Sequence, residues 1–328
     1  MKSVCFICPA NVETGGTECI FECASTLIKL GLDATIAMIE QSNNLEMQCT
    51  TDIESVPERF RHYSVPIVDI SSDYAGLVVF PETFIPLIPA TTYRYVGIWW
   101  LSVDNIVTKL VVRKNLYEMY KQISHTHSVN RVAKGKNILH FVQSHYAYKF
   151  CLKYTKTPFY LRDSVATVPA SNTERKNTLV YNPRRGSEYV GPVIKELGEY
   201  YDVSPIIGLP HSEVLQRISE SKICLDLGHQ PGRDKLPREA AGAGCVVILS
   251  NQGAAQNAVD FPIDSKYKVD VKSSDFVDYT VNLVHHVVED YSNHWNAQSL
   301  FRRLVHNGAN EHFGDCIQFV SIINSLCG

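Results

Sequence analysis

Two adjacent arginines, Arg184 and Arg185, stand between a predicted strand and a predicted helix. Residues 178–182 (TLVYN) have the apolar character of a buried strand, and Ser187 is a suitable helix N-cap. Arginine at a helix N-terminus suits a phosphate, because its forked hydrogen bonds add to those of the oriented backbone amides. A solvated surface pair is the alternative that this spacing leaves open.

A second polar cluster leads into a helix of small residues at 237–244. It follows the predicted strand 222–227 (KICLDL) and precedes the predicted strand 245–249 (CVVIL). Glu239 lies in the first turn of that helix, where a carboxylate is favoured and can accept hydrogen bonds from ribose hydroxyls. A helix charge without a ligand is the alternative. The other members of this cluster are Gly232, Arg233, Asp234, Lys235 and Arg238.

Metal ligands are poorly represented in the sequence. The chain contains no Asp-x-Asp, so a Mg²⁺ or Mn²⁺ ion held by carboxylates is not expected. Its ten cysteines are scattered among apolar residues, which is typical of free thiols in the core of a cytosolic protein. Cys5 and Cys8 share one predicted strand, where an odd spacing sends their side chains to opposite faces, so no zinc site is predicted. No metal or other cofactor is expected.

Alternating strands and helices must position these groups. The first forty residues read as strand 4–8, a glycine-containing loop, helix 17–31 and strand 34–39, which together form a βαβ unit. Further strands are predicted at 76–80, 96–101 and 137–142, with helices at 115–124 and 144–153. Residues 275–327 are predicted to be helical, with breaks at Gly308 and Gly314.

The length of 328 residues favours two domains. A polar stretch without apolar periodicity, 168–177, separates the first alternating series from a second one. The predicted fold class is therefore α/β, with two Rossmann-like domains, 1–167 and 178–328, facing each other across a cleft. The net charge of −3 gives no general indication of nucleic-acid binding. No apolar run approaches the ~20 residues of a membrane span, so a cytoplasmic location is expected.

Three predicted loops of the first domain carry a group that could act as a general base. In open α/β sheets, ligands bind beyond the carboxyl ends of the strands. Glu82, Asp104 and His145 follow three predicted strands of the first domain, so each is a candidate for proton transfer.

Four segments resemble the GT-B-fold glycosyltransferases, close to glycosyltransferase family 4 (glycosyl transferases group 1) of the bacterial surface-polysaccharide type. Residues 237–255 (PREAAGAGCVVILSNQGAA) look like the family's C-terminal signature. Residues 181–186 (YNPRRG) are similar to the basic loop that grips the donor diphosphate, and 13–18 (ETGGTE) to the glycine loop near the donor sugar. Residues 143–150 (QSHYAYKF) are similar to the QSxYA segment of related polysaccharide transferases.

The resemblance implies specific roles in donor binding. Glu239 would contact the ribose, and Arg184 and Arg185 would contact the diphosphate. The family's first glutamate, eight positions before Glu239, is replaced by Pro231, and Asp234 is the candidate substitute at the donor hexose. The implied donor-binding residues are Gly15, Gly16, Asn182, Arg184, Arg185, Gly232, Arg233, Lys235, Arg238, Glu239, Gln252 and Gly253.

The resemblance also implies an activity. It is the transfer of a sugar from a nucleotide-diphosphate sugar to a saccharide or lipid-linked saccharide, without a metal and with retention of configuration. The context would be surface-polysaccharide assembly (capsule, O-antigen or lipopolysaccharide). An inverting mechanism stays open, with Glu82, Asp104 or His145 as its base. Asp234 is a further catalytic candidate through its expected place at the donor hexose. Two alternatives share the fold: a hydrolysing nucleotide-sugar epimerase and a non-catalytic nucleotide-sugar-binding subunit.

A basic stretch, residues 109–162, is the remaining unusual feature. It holds eleven lysines and arginines against one acid, Glu118. A surface with this excess of positive charge could bind an acidic saccharide, a lipid diphosphate acceptor or the inner face of a membrane. No RNA-binding motif accompanies the basic stretch. Lys149, Lys153 and Lys156 have the spacing of one helical face and are the candidate acceptor or membrane patch.

Overall fold

The chain forms two compact units, as a computed structural model shows. The described residues are 3–40, 47–106, 129–135, 137–167 and 175–326. One unit comprises Met1–Asp163 with Asn310–Gly328, and the other is Ser164–Ala309. Most of the predicted linker, 168–174, lies outside the described residues, as does the predicted helix at 115–124.

The described residues form strands and helices, which alternate between Lys176 and Ser250. The strands are β1 (Ser3–Pro9), β2 (Asp33–Glu40), β3 (Gln48–Thr50), β4 (Leu77–Pro81), β5 (Tyr95–Trp100), β6 (Ile138–Val142), β7 (Phe159–Tyr160), β8 (Lys176–Tyr181), β9 (Asp202–Pro205), β10 (Ser221–Asp226), β11 (Val246–Ser250) and β12 (Lys268–Val269). The helices are α1 (Gly15–Lys29), α2 (His145–Cys151), α3 (Ser187–Leu197), α4 (His211–Glu220), α5 (Lys235–Ala243), α6 (Phe276–Glu289), α7 (Tyr291–Ala297), α8 (Ser299–His306) and α9 (Gly308–Leu326). Both lists follow the chain, and the predicted βαβ unit is β1-α1-β2.

The first unit is built on a seven-stranded sheet in the order β3-β2-β1-β4-β5-β6-β7. Every neighbouring pair is parallel except β2 with β3. Both faces of β1 are buried, so its side chains alternate between two cores: Cys8 lies in one and Cys5 in the other. The opposite-face prediction for this cysteine pair is therefore confirmed. Apart from the half-buried Cys49, the cysteines among the described residues are buried thiols.

The C-terminal helix belongs to the first unit, although the sequence placed it in the second domain. Cys316, Phe319 and Ile323 on α9 are buried in the core of the first unit that also contains Cys8. The Phe319 ring packs 4.8 Å from that of Phe141 on β6, measured between ring centroids. Burial of this apolar face brings the chain back to the first unit. Gly314, a predicted helix break, lies inside α9.

The second unit contains a five-stranded, fully parallel sheet in the order β12-β11-β10-β8-β9. Helix α5 precedes β11 and is buried from Pro237 to Ala243. Its alanines and Gly242 leave room for this burial: a Cβ on Gly242 would lie 3.1 Å from Val305. These observations establish the α/β fold class with two Rossmann-like units. Among the described residues, none of the helices combines the length and the apolar character that crossing a membrane requires.

Candidate functional site

Three loops of the second unit meet at the carboxyl edge of its sheet, after β8, β10 and β11. Glycine permits the close approach. A Cβ on Gly186 would lie 2.8 Å from Gly228 Cα, and one on Gly253 would lie 2.1 Å from the carbonyl oxygen of Gln230. Gly186 and Gly253 also have φ angles of 67° and 61°, a region that favours glycine. The three predicted loops are therefore in contact through their backbones.

Arg185 joins the loop after β8 to the loop after β10. Its Nη1 forms an ion pair with Asp234 Oδ2 and lies 3.3 Å from Gln230 Oε1. Asp234 is the N-cap residue of α5. Burial raises the pKa of the Asp234 carboxyl to about 6, Arg185 opposes this rise, and the Asp226 carboxyl adds to it. The arginine expected to bind a phosphate is thus paired with a carboxylate.

Asp226 is a second carboxyl group near the same guanidinium. It is the last residue of β10 and is fully buried, and its Oδ1 accepts a hydrogen bond from Gly228 N at 3.3 Å. Burial raises the pKa of Asp226, and the positive charge of Arg185 is the main opposing influence. One guanidinium therefore interacts with two carboxyl groups.

Asn182 shapes the loop that carries the two arginines. Its Oδ1 accepts hydrogen bonds from the backbone N–H groups of Arg184 at 3.1 Å and Arg185 at 3.4 Å. This Asx-type turn directs the chain from β8 into α3. Arg184 is exposed, whereas Arg185 is half-buried. The two arginines, which the sequence treated as equivalent, thus occupy different environments.

Arg238 holds the loop that precedes α5. It is almost completely buried, its Nη2 donates to the carbonyl oxygen of Arg233 at 2.7 Å, and its Nε donates to that of Asp234 at 3.2 Å. These bonds fix the loop backbone and so position Asp234 and the start of α5. Gly232 and Arg233 are buried in the same loop, and Lys235 is half-buried.

Glu239 is paired with a histidine. It is buried, and its Oε1 lies 2.9 Å from Nε2 of His211, the first residue of α4. This contact with the imidazole holds the Glu239 carboxylate in one orientation. Gln252 and Gly253 follow β11, the strand next to β10, and both are half-buried. Arg185 and Gln252 lie in loops at the carboxyl edge of the sheet. Glu239 is the fifth residue of α5 and not in its first turn as predicted, because the helix begins at Lys235, two residues earlier than expected.

The candidate bases of the first unit follow its neighbouring strands β4, β5 and β6. Glu82 is buried, and its carboxylate accepts hydrogen bonds from the backbone N–H groups of Leu101 at 2.9 Å and Ser102 at 3.0 Å. Burial raises the pKa of Glu82 to about 7, while these two backbone hydrogen bonds oppose the rise. Glu82 therefore ties the loop after β4 to the loop after β5.

Asp104 and His145 are each hydrogen-bonded to a tyrosine hydroxyl. Tyr146 OH donates to both carboxylate oxygens of Asp104, at 3.0 and 3.1 Å. His145 Nδ1 lies 2.8 Å from the hydroxyl of Tyr160. The rings of His145 and Tyr160 are each stacked on that of Tyr148, with centroids 5.7 and 5.2 Å apart. His145 is half-buried.

The glycine pair after β1 lies in a helix and not in a loop. Gly15 and Gly16 are the first residues of α1, whose N-terminus is capped by Thr14 and Thr17 in a capping box. Neither glycine has a positive φ. The strand and helix were predicted, but the helix begins two residues earlier than expected because Thr14 caps it.

The prediction that the three lysines share one helical face is wrong. Helix α2 ends at Cys151, so Lys153 and Lys156 lie beyond it. The Lys153 ammonium lies 3.5 Å from the ring centroid of Phe150, and all three lysines are exposed. Most of the remaining basic stretch, residues 107–128 and Lys136, lies outside the described residues.

Sequence reasoning missed three groups of the second unit's site. His211 orients the Glu239 carboxylate, and the Asp226 carboxyl interacts with the positive charge of Arg185. Gln230 accepts a hydrogen bond from Arg185. The only available signal was their place after, or at the end of, a strand on the same edge. Within the described ranges, no set of three or more His, Cys, Asp or Glu side chains is arranged to hold a metal ion.

Comparison with known proteins gives structural likeness without sequence likeness. No protein-family model matches the chain, and no curated protein matches it either. Sucrose-phosphate synthase from Thermosynechococcus elongatus is similar in structure, with a TM-score of 0.67 at 10% identity over 99% of each chain. A glycosyltransferase from Rickettsia africae has a TM-score of 0.59 at 11% identity over 98% of each chain.

A third similar structure is an alpha-glucosyltransferase in complex with UDP and a 13-mer DNA. Its TM-score is 0.53 at 11% identity, over 97% of this chain and 99% of that one. At such low identities, these likenesses show the fold. It is the two-domain α/β architecture of the GT-B glycosyltransferases.

Proposed function

We propose that the protein is a glycosyltransferase that takes its sugar from a nucleotide-diphosphate donor. The observation that carries this proposal is the cluster at the carboxyl edge of the second sheet, where Arg185 lies in the loop after β8 and Glu239 in the helix that follows the neighbouring strand β10. Arginine suits a diphosphate and a buried, oriented carboxylate suits the paired hydroxyls of a ribose. The fold supports the same proposal, since the three similar structures named above are a sucrose-phosphate synthase, a glycosyltransferase and an alpha-glucosyltransferase.

The diphosphate would lie at the N-terminus of α3. Arg185 precedes Gly186, which is the N-cap residue of this eleven-residue helix. The first backbone N–H groups of α3 and the guanidinium of Arg185 would then share the negative charge. The same contacts would stabilise the departing nucleoside diphosphate, so no divalent cation is needed in this scheme. Exposed Arg184 would reach the outer phosphate oxygens.

The acceptor would be a saccharide bound by the first unit. Asp104, Glu82 and His145 all follow strands at the carboxyl edge of that sheet. Asp104 and His145 are the better candidates for contact with a hydroxyl, because both are half-buried, whereas Glu82 is buried and held by two backbone N–H groups. Retention of configuration, a lipid-linked acceptor, a role in surface-polysaccharide assembly and a cytoplasmic or membrane-peripheral location are further parts of the proposal.

Isothermal titration calorimetry with a panel of nucleoside diphosphates tests the donor assignment. UDP is the first ligand to try, because several structures of this fold contain it. We expect one member of the panel to bind with a stoichiometry of one. If none binds to the folded protein, the proposal is wrong.

Product analysis with the matching nucleotide sugar separates the remaining candidates. A transferase releases the nucleoside diphosphate and forms a glycoside only when an acceptor is present. An epimerase of the same fold would release a new free sugar without any acceptor. A non-catalytic subunit would bind the nucleotide sugar and leave it intact.

A further inference from the structure

Arg185, the residue to which we assign the diphosphate, already has an anionic partner. Its Nη1 is paired with Asp234 Oδ2, and Asp226 lies close enough to be influenced by the same positive charge. Arg185 is half-buried, so the pair is better shielded from water than an ordinary surface ion pair. A carboxylate oxygen and a phosphate oxygen are both anionic acceptors for one guanidinium, so they compete for it.

We propose that the carboxylate of Asp234 occupies the phosphate subsite of Arg185 in the free protein and is displaced by the donor diphosphate. This inference rests on the proposed function. It means that a carboxylate of the protein itself competes with the donor diphosphate for Arg185. It gives Asp234 a different role from the hexose contact expected from the sequence. The consequence is that Asp234 opposes donor binding rather than contributing to it.

The local structure allows such a displacement. Asp234 is the N-cap residue of α5, yet its side chain makes no capping hydrogen bond, so its carboxylate is not needed to start the helix. The loop itself is held by Arg238, which bonds the main-chain carbonyls of Arg233 and Asp234. The carboxylate can therefore leave Arg185 by rotation of the side chain while the backbone stays in place.

Competition of this kind depends on pH. The charged groups that face Asp234 are Arg185 on the loop after β8, Asp226 at the end of β10 and Arg238 on α5. Burial raises the pKa of Asp234 to about 6. Below that pH the carboxyl is neutral and competes weakly, and above it the carboxylate holds Arg185. Donor affinity should therefore rise as the pH falls through about 6.

The test is calorimetric titration of the full chain with UDP-glucose and GDP-mannose at pH 5.0 and 7.5. These probes are chosen because a sugar diphosphate diester does not take up a proton near pH 6, as a free nucleoside diphosphate does. The variants are Asp234→Asn, which keeps an N-cap residue, and Arg185→Gln. The matched control is Glu220→Gln, which removes a carboxylate from the Lys176 ion pair at the opposite edge of the same sheet. Thermal unfolding checks that each variant is folded.

We expect Asp234→Asn to bind a probe about tenfold more tightly than the wild type at pH 7.5, the scale of one charge-assisted hydrogen bond. Its affinity should not change between the two pH values, whereas that of the wild type and of Glu220→Gln should rise at pH 5.0. Arg185→Gln should weaken binding at both.

Weaker or unchanged binding by folded Asp234→Asn, with Arg185→Gln impaired, would overturn this inference and leave the proposed function standing. If no variant binds either probe, including the one that lacks the competing carboxylate, this inference fails, and the proposed function fails with it when no nucleoside diphosphate of the panel binds.

Discussion

At the scale of single residues, the second unit's site consists of polar side chains that hold one another in place. Arg185 forms an ion pair with Asp234, and the Glu239 carboxylate lies within hydrogen-bond distance of the His211 imidazole. Removing either partner of the ion pair leaves the other charge without compensation. Substitutions at these residues should therefore change ligand affinity.

Glu239→Ala should weaken binding of the donor nucleotide by about 2 kcal/mol, the usual scale for losing a charged hydrogen-bond partner. Titration with the nucleoside diphosphate that the wild type binds is the measurement. His211→Ala should also weaken binding of the donor nucleotide, but by less, because it removes only the group that orients the Glu239 carboxylate. Unchanged affinity in folded Glu239→Ala would show that the ribose contact is misassigned.

The adjacent arginines should act on the diphosphate. Arg185→Gln should weaken binding of the nucleoside diphosphate by about 2 kcal/mol while leaving the matching nucleoside nearly unaffected. Ligand-observed NMR titration of both ligands is the measurement. Arg184→Gln should show the same pattern more weakly, because its side chain is exposed. An equal loss for both ligands would point to a folding defect.

Glu82 should make the stability of the first unit depend on pH. Its pKa rises from 4.5 to about 7 on folding, so the folded state favours the protonated form. The free energy of unfolding should therefore fall as the pH rises from about 5 to about 7, by an amount on the order of 3 kcal/mol. Glu82→Gln should remove this part of the pH dependence in urea unfolding at a series of pH values. A parallel pH dependence in the two proteins would contradict the assignment.

At the scale of elements, the loops after β8, β10 and β11 depend on glycine. Gly253 has a φ of 61°, and a Cβ there would lie 2.1 Å from the carbonyl oxygen of Gln230. The isolated bridge between Gln230 and Gly253 would then have to open. The shape of the site is thus a property of the backbone as well as of its side chains.

Gly253→Ala should destabilise the protein and impair donor binding together. We expect a loss of about 2 kcal/mol or more, since the substitution combines an unfavourable φ with a backbone clash. Urea unfolding measures the stability, and titration measures the affinity. Gly191→Ala in α3 is the matched control, because a Cβ there meets nothing within 4 Å. Equal stability of the two variants would show that the loops can separate without cost.

Sequence patterns predicted the longer elements well for a physical reason. Strands such as β1, β4 and β11 are buried on both faces and therefore form continuous apolar runs. The strands β3, β7, β9 and β12 have two to four residues each, too few to show a period. The end of α2 was missed because the apolar and aromatic residues continue past Cys151.

The candidate site was predictable only to the level of its loops. The carboxyl-edge rule placed Arg185 and Glu239 on neighbouring connections. It could not show that His211 contacts Glu239, because these residues are 28 positions apart and no local pattern links them. Asp226 looked like an ordinary residue at a strand end. The sequence also could not show that α9 packs in the first unit, since its apolar face would suit either core.

At the scale of the whole molecule, each unit presents candidate groups at the carboxyl edge of its own sheet. The proposed contacts to the donor, Arg185 and Glu239, lie on the second unit, and the candidate bases and the lysines Lys149, Lys153 and Lys156 lie on the first. This division predicts that donor binding and acceptor binding can be altered separately by mutation.

Reversing Lys149 and Lys156 to Glu should raise the apparent KM for an anionic acceptor, or release the protein from anionic vesicles, with donor affinity unchanged. Both side chains are exposed, so the effect should fade as the salt concentration rises well above 0.1 M, where the screening length is about 10 Å. Acceptor kinetics and vesicle sedimentation at two salt concentrations are the measurements. If the acceptor and vesicle readouts match the wild type at low salt, the lysines are only a solvated surface.

The most direct test of the central claim is a crystal structure of the protein with the nucleoside diphosphate that calorimetry selects. We predict that the diphosphate lies at the N-terminus of α3 within hydrogen-bond distance of Arg185, with Asp234 turned away and the ribose hydroxyls on Glu239. A nucleotide bound elsewhere, with Arg185 still paired to Asp234 and Glu239 still making no contact with the ligand, would contradict the account.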